Sequence, residues 1–176
     1  GEDPLFIARR MLILASEDVG LANPNAVLLA NATFDAVSKI GWPESRIILS
    51  ECAIYLANSP KSNSAYMAIN NAQKAVRENG DLPVPLHLRN APTKLMADLG
   101  YSAGYKYAHD YENNFAQQQY LPDGLGHVAF WQPGNNPPEA KMAARLDALR
   151  SKVSGNTDTV VTEKAADISL KSNNKS

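Results

Sequence analysis

Between residues 87 and 120 the sequence gathers side chains that could meet a nucleic acid. His87, Arg89, Lys94, Lys106 and His109 offer charge or hydrogen bonds to phosphate, and Tyr101, Tyr105 and Tyr107 offer rings on which bases stack. Five of the seven tyrosines lie from Tyr101 to Tyr120, in a polar, glycine-punctuated stretch without clean periodicity. A packing role is the favoured reading of the same residues: the rings bury apolar area while their hydroxyls satisfy the irregular backbone of an ordered loop. Contact between subunits would use these properties equally well.

Other chemistries lack their residues. A phosphate-cradling loop of the Walker type needs a glycine followed by lysine, and no glycine here is followed by lysine. The nearest glycine pair, Gly100 and Gly104, has neither the preceding strand nor the helix spacing that dinucleotide binding requires. His87, His109 and His127 are scattered and Cys52 stands alone, so no metal-ligand spacing emerges. Cys52 shares a helical face with Leu49 and Leu56, the setting of a packed thiol rather than a nucleophile. Glu17 and Asp18 form an acidic pair at the expected end of a helix, where the macrodipole disfavours them; a capping or salt-bridge role is expected, with Arg9 and Arg10 as partners. No catalytic, cofactor-binding or metal-binding residues are assigned.

Composition sets the frame for these residues. The chain has 176 residues, 44% hydrophobic and 20% charged, the usage of an ordinary globular domain with one core. No apolar run approaches the ~18 residues of a membrane span, and the acidic start Gly1-Glu2-Asp3-Pro4 is unlike an export signal. A lone cysteine forms no internal disulfide, so a reducing cytoplasm is expected, and the Asn31-Ala32-Thr33 sequon inside a helix reads as chance. A net charge of −1 lacks the positive field of a dedicated nucleic-acid binder, so any such contact is local.

The elements that must position these side chains are helices. Asp3 as N-cap and Pro4 as first helical residue open a stripe of Ile7, Met11, Leu14 and Ala15, with Gly20 beyond its end. Asn23-Pro24 opens a second helix, carrying Ala26, Leu29, Ala30, Thr33, Phe34 and Val37 before Gly41. Pro43 starts a third with Leu49, Cys52, Ala53 and Leu56 on one face, and Ser59-Pro60 a fourth with Ala65, Ile69, Ala72 and Val76 before Gly80. Short connections between them predict successive helical hairpins, an all-α array. Pro83, Pro85 and Pro92 predict an extended segment, followed by a short helix over 92–99. A short strand over His127 to Trp131 and a last helix from Pro137 or Pro138, with Met142, Leu146, Leu149 and Val153, complete the helical domain, residues 1–153. The tail, 154–176, is too polar to build a core and is expected to be flexible.

Several long motifs, in order, carry a family resemblance. They are Gly1-Glu-Asp-Pro-Leu-Phe-Ile-Ala-Arg-Arg10, Ala15-Ser-Glu-Asp-Val-Gly-Leu-Ala22, Arg46-Ile-Ile-Leu49, Tyr55-Leu-Ala-Asn-Ser-Pro-Lys-Ser-Asn63, Leu82-Pro-Val-Pro-Leu-His-Leu-Arg-Asn-Ala-Pro-Thr-Lys94 and Tyr105-Lys-Tyr-Ala-His-Asp110. From Gly1 to about Trp131, and more weakly to Arg150, the chain resembles the C-terminal domain of the replication-associated recombination protein A (MgsA) family of AAA+ ATPases. The resemblance implies a helical domain like the C-terminal collar of clamp loaders, through which subunits assemble as a homotetramer. It implies a cytoplasmic, nucleoid-associated parent that acts in DNA replication, recombination and repair at stalled forks and meets DNA and single-stranded DNA-binding protein. ATP and magnesium belong to the parent's ATPase domain, whose nucleotide-binding, hydrolysis and lid residues this chain lacks, and the family's first C-terminal helix is expected to precede Gly1. A DNA- or partner-binding module using residues 87–120 is the alternative.

Overall fold

The computed structural model describes residues 1–126 and 128–154, with side chains to residue 151. Its helices are α1 (Pro4–Leu14), α2 (Asn25–Ile40), α3 (Ser45–Ala57), α4 (Ser64–Asn79), α5 (Lys94–Asp98) and α6 (Pro137–Ser154). No strand forms among the described residues, so the all-α reading holds, and residues 128–131 run without strand pairing instead of forming the expected strand. Contacts sort the chain into two compact units, one of residues 1–81 and 128–145, the other holding residues 82–126 and 146–154 of those described. The polar tail lies outside the described residues from 155 onward.

In the first unit the boundary signals act as their chemistry dictates. The Asp3 carboxylate accepts from the Leu5 N–H at 3.0 Å, and Pro4, with no N–H to satisfy, starts α1. Beyond Leu14 the chain keeps coiling through a π-helical turn, Ala15–Val19, and a 3₁₀ turn, Gly20–Ala22. Gly41, at φ +73°, ends α2 while its N–H donates to the Val37 carbonyl at 3.1 Å.

Two apolar clusters hold α1, α2 and α3 together. Ala8, Val37 and Leu49 meet at one end, and Ala15, Val19, Ala26, Ala30, Cys52 and Leu56 at the other. Four of these nine residues are alanines, which lets helix backbones approach closely, and Cys52 is fully buried as a packed thiol.

Several expectations for the helices fail. Ala53 is exposed, because α3 buries Ser45, Leu49, Cys52 and Leu56, a row that passes to one side of it. α4 starts at Ser64 rather than Pro60. The Ser59 hydroxyl donates to the Tyr55 carbonyl at 2.9 Å and accepts from Asn23 Nδ2 at 3.1 Å, so residues 58–63 finish α3 and cross over before the next helix begins. The stripe expected to bury α4 is uncovered within this chain: Ala65, Ile69 and Val76 are exposed and only Ala72 is partly covered. On α6, Met142 is likewise exposed while Leu146 and Leu149 are partly buried; the Val153 side chain lies outside the described residues.

In the second unit the proline-rich segment is non-helical apart from a 3₁₀ turn, Leu86–Leu88. α5 follows, capped by the Thr93 hydroxyl, which accepts from the Met96 N–H at 3.3 Å.

Candidate functional site

The residues read as a nucleic-acid or subunit contact all lie in the second unit, where the structure joins Arg89 to Tyr101 and Tyr107 to His109 but does not gather the set into one site. Arg89 is held internally: Nε donates to the Val84 carbonyl at 2.7 Å, Nη1 donates to the Tyr101 hydroxyl at 3.2 Å, and the guanidinium lies 5.2 Å from the Tyr101 ring centroid. Its own carbonyl accepts from the Ser102 hydroxyl at 2.6 Å. This arginine therefore ties the loop after α5 to the proline-rich segment. His87 Nε2 lies 2.7 Å from the Gln119 carbonyl.

The Lys106 backbone is clamped on both sides by the Gln118 amide, at 3.1 and 2.9 Å, and its ammonium lies 6.0 Å from the Tyr111 ring centroid. Tyr107 and His109 are ring neighbours at 5.1 Å, and both are exposed. Tyr105, Tyr107 and Tyr120 present half their surface to solvent, and Lys94 is exposed at the start of α5. Over residues 82–126, Arg89, Lys94 and Lys106 face four acids, Asp98, Asp110, Glu112 and Asp123. The unit thus offers aromatic platforms without an excess of positive charge.

A second constellation, in the first unit, was not singled out from the sequence. Glu139 is fully buried. Its carboxylate accepts from the Ser64 hydroxyl and the Asn136 side-chain amide, and from the Gly134 N–H at 3.1 Å. The Trp131 indole N–H donates to the Ser64 oxygen at 3.1 Å. Asn136 caps α6 in return, its Oδ1 accepting from the Glu139 N–H at 3.1 Å. Burial pushes the Glu139 carboxyl pKa up, but hydrogen bonds from Ser64, Ser62, Asn136 and Gly134 outweigh it and hold the group below its ordinary value. The site therefore keeps an ionised carboxylate inside the protein at neutral pH.

Ser62 links this node to the family-like motif ending at Ala22. Its N–H donates to the Asp18 carbonyl at 2.8 Å, and its carbonyl lies 2.6 Å from where a Cβ at Gly20 would stand. Gly20 has φ +49°, so glycine is required there twice over. A Cβ at Gly134 would collide with the Glu139 carboxylate and stand 2.7 Å from the Ser62 hydroxyl. Asn136-Pro137-Pro138-Glu139 is a readable cap signal, an N-cap with an acid three residues on. Its burial depends on Ser64, 75 residues away.

Along α1 lies a groove of about 240 Å³, whose lining includes Ile7, Met11 and Leu14, with Arg10, Glu17 and Asp18. Glu17 and Asp18 form no ion pair with Arg9 or Arg10; the ion pair among the described residues is Lys74–Glu78, at 3.7 Å. No cluster of three metal-ligating side chains occurs among the described residues. No helix among them is long and apolar enough to cross a membrane.

Comparison with known proteins gives these sites a family. Replication-associated recombination protein A of Haemophilus influenzae is 42% identical over 153 residues, covering 86% of this chain and 34% of that protein. The protein of the same name from Escherichia coli K12 is 43% identical over 147 residues, covering 83% and 33%. ATPase WRNIP1 of Dictyostelium discoideum is 42% identical over 142 residues, covering 80% and 16%. The chain thus spans about a third of the length of the two bacterial relatives. Residues 1–150 match the family described as MgsA AAA+ ATPase C terminal, and to that family this chain belongs.

Proposed function

We propose that this chain is the assembly domain of a AAA+ ATPase acting in replication-associated recombination, and that it joins subunits into a homotetramer. The observation that carries this reading is α4. Its sequence is amphipathic, yet Ile69 and Val76 are each 54% exposed, and Tyr66, on the same side of the helix, is 44% exposed. An apolar helix face of this kind, left open among the described residues, is suited to contact with another subunit. The names of the relatives support a parent working on replicating DNA. Nucleotide binding with magnesium, fork DNA, single-stranded DNA-binding protein and a cytoplasmic, nucleoid-associated setting all belong to that parent. Light scattering or sedimentation of the purified chain at tens of micromolar tests the reading. Species larger than the 19.1 kDa monomer are expected, and a strict monomer at every concentration refutes it.

The exposed rings of Tyr105, Tyr107 and Tyr120 favour a second function beside assembly, a DNA- or partner-binding surface on the second unit. With acids balancing the nearby cations, stacking would supply most of the affinity, and Lys94 and Lys106 local phosphate contacts.

A further inference from the structure

We propose that Asn79, the last residue of α4, is a site of spontaneous deamidation, and that opening of the last helical turn gates the reaction. This inference is independent of the assembly reading. Among the asparagines of the chain, only Asn79 is followed by glycine. Glycine has no Cβ, so its backbone nitrogen can approach the preceding side chain closely. The chemistry then needs only water. The Gly80 nitrogen attacks the Asn79 Cγ and closes a five-membered succinimide; the bond from Cγ to the side-chain nitrogen breaks, and ammonia leaves carrying the proton that the backbone nitrogen gave up. Water opens the ring at either carbonyl, giving aspartate or isoaspartate, a carboxylate in place of the amide in both cases.

α4 restrains both reacting groups. Asn79 Nδ2 donates to the Ala75 carbonyl at 2.8 Å, and the Gly80 N–H donates to the Val76 carbonyl at 2.8 Å. The nucleophile therefore keeps its proton in a helical hydrogen bond while the leaving amide is tied one turn back. Around them there is room to react. Both residues are exposed, and a Cβ at Gly80 would meet no described atom within 4 Å beyond its chain neighbours. Helix ends open locally at far lower cost than the whole protein, and fraying of this one turn frees nucleophile and leaving group together.

The product is poorly suited to its position. Glu78 and Asp81 already flank the Asn79-Gly80 pair, with Arg77 and Lys74 as the nearest cations in sequence, and Lys74 is engaged by Glu78 at 3.7 Å. A third acid would stand at a helix C-terminus, where the macrodipole disfavours negative charge. A carboxylate also has no hydrogen to donate to the Ala75 carbonyl, so the cap bond made by the amide is lost. Deamidation thus loosens the turn that protected the amide, just before the first unit gives way to the second after Asp81.

Incubating the full 176-residue chain at mildly alkaline pH, in buffer and in denaturing urea, tests both site and gate. Peptide mass mapping reads conversion of Asn79 as the mass gain of an amide becoming an acid. Asp123-Gly124 can close the same ring by losing water, but it returns without a change of mass and does not confuse the readout. In urea, Asn79 should convert faster than every other asparagine. In buffer it should convert at least about fivefold more slowly than in urea, the protection expected of two hydrogen bonds. Asn79→Asp, which carries the product's charge from the start, should lower the thermal midpoint by about 1–4 °C. A denatured chain that keeps Asn79 intact overturns the site. Equal rates in buffer and urea overturn the gate, and so does a folded chain left unmodified after the denatured one is fully converted, because control then lies in global unfolding. An Asn79→Asp chain with the wild-type midpoint overturns the loosening of the turn.

Discussion

Replacing Glu139 by glutamine changes one oxygen to an amide nitrogen and almost nothing in volume, so it isolates the charge of the buried carboxylate. Oε1 takes the Ser64 hydroxyl, and Oε2 takes both the Gly134 N–H and the Asn136 amide. A glutamine that keeps its oxygen toward Ser64 turns its NH₂ group against two donors. Asn136 cannot rotate to relieve this without giving up the cap bond from its Oδ1 to the Glu139 N–H. One or two buried donors left unsatisfied cost about 1–3 kcal/mol each, so Glu139→Gln should lower unfolding stability by about 2–3 kcal/mol at pH 7. Alanine, which removes both acceptors, should cost about 3–4 kcal/mol after water partly refills the site. The pH dependence adds an independent signature. Because the folded protein holds the Glu139 pKa below its usual 4.5, its contribution is complete above that value and is lost as pH falls through the lower, folded value. Urea unfolding of wild type and Glu139→Gln from pH 7 down to pH 3 should therefore show a gap that narrows at the acid end. An equally stable glutamine variant, or a gap that stays constant across that range, would falsify the reading of Glu139 as an ionised anchor.

Three further outcomes follow from the geometry. Gly20→Ala should destabilise by at least about 2 kcal/mol, combining a positive φ with a backbone oxygen 2.6 Å from the new carbon; Gly134→Ala should disrupt the Glu139 node similarly, and thermal melts that match the wild type would contradict both. The isolated chain should show no saturable heat of ATP binding in calorimetry, because no glycine precedes a lysine; a stoichiometric isotherm would defeat this. Alanine at Lys94 and Lys106 should lower affinity for single-stranded DNA and reduce its salt slope if the second unit binds nucleic acid. Unchanged affinity at constant oligomer mass would remove that function.

Boundaries were more legible in the sequence than faces. Asp3-Pro4, Gly41 and Gly80 act locally, through a carboxylate, a ring or a positive φ, so their meaning survives without knowledge of the fold. The stripe on α4 was equally clear as a pattern, but periodicity shows which side of a helix is apolar and not whose atoms cover it. Ile69 and Val76 satisfy the pattern and remain open in this chain. The tyrosine segment was readable as an ordered loop, while the pairing of Arg89 with Tyr101 and of Lys106 with Gln118 required coordinates. Glu139 shows the limit most sharply. Its cap role is local, whereas its burial comes from Ser64 and Ser62, on the far side of the intervening second unit in sequence.

That separation has a consequence for synthesis. Within this domain α1, α2 and α3 are synthesised before α6, and their contacts join residues close in sequence, so this hairpin stack can form before Glu139 is made. The hydroxyl of Ser64 and the indole of Trp131 must wait for Glu139, about 75 residues after the first of them. Until then the crossover at Ser62 has its bond to Asp18 but not its carboxylate. A nascent chain halted before Gly134 would carry a nearly complete first unit with an open polar socket, and the arrival of α6 would seal it.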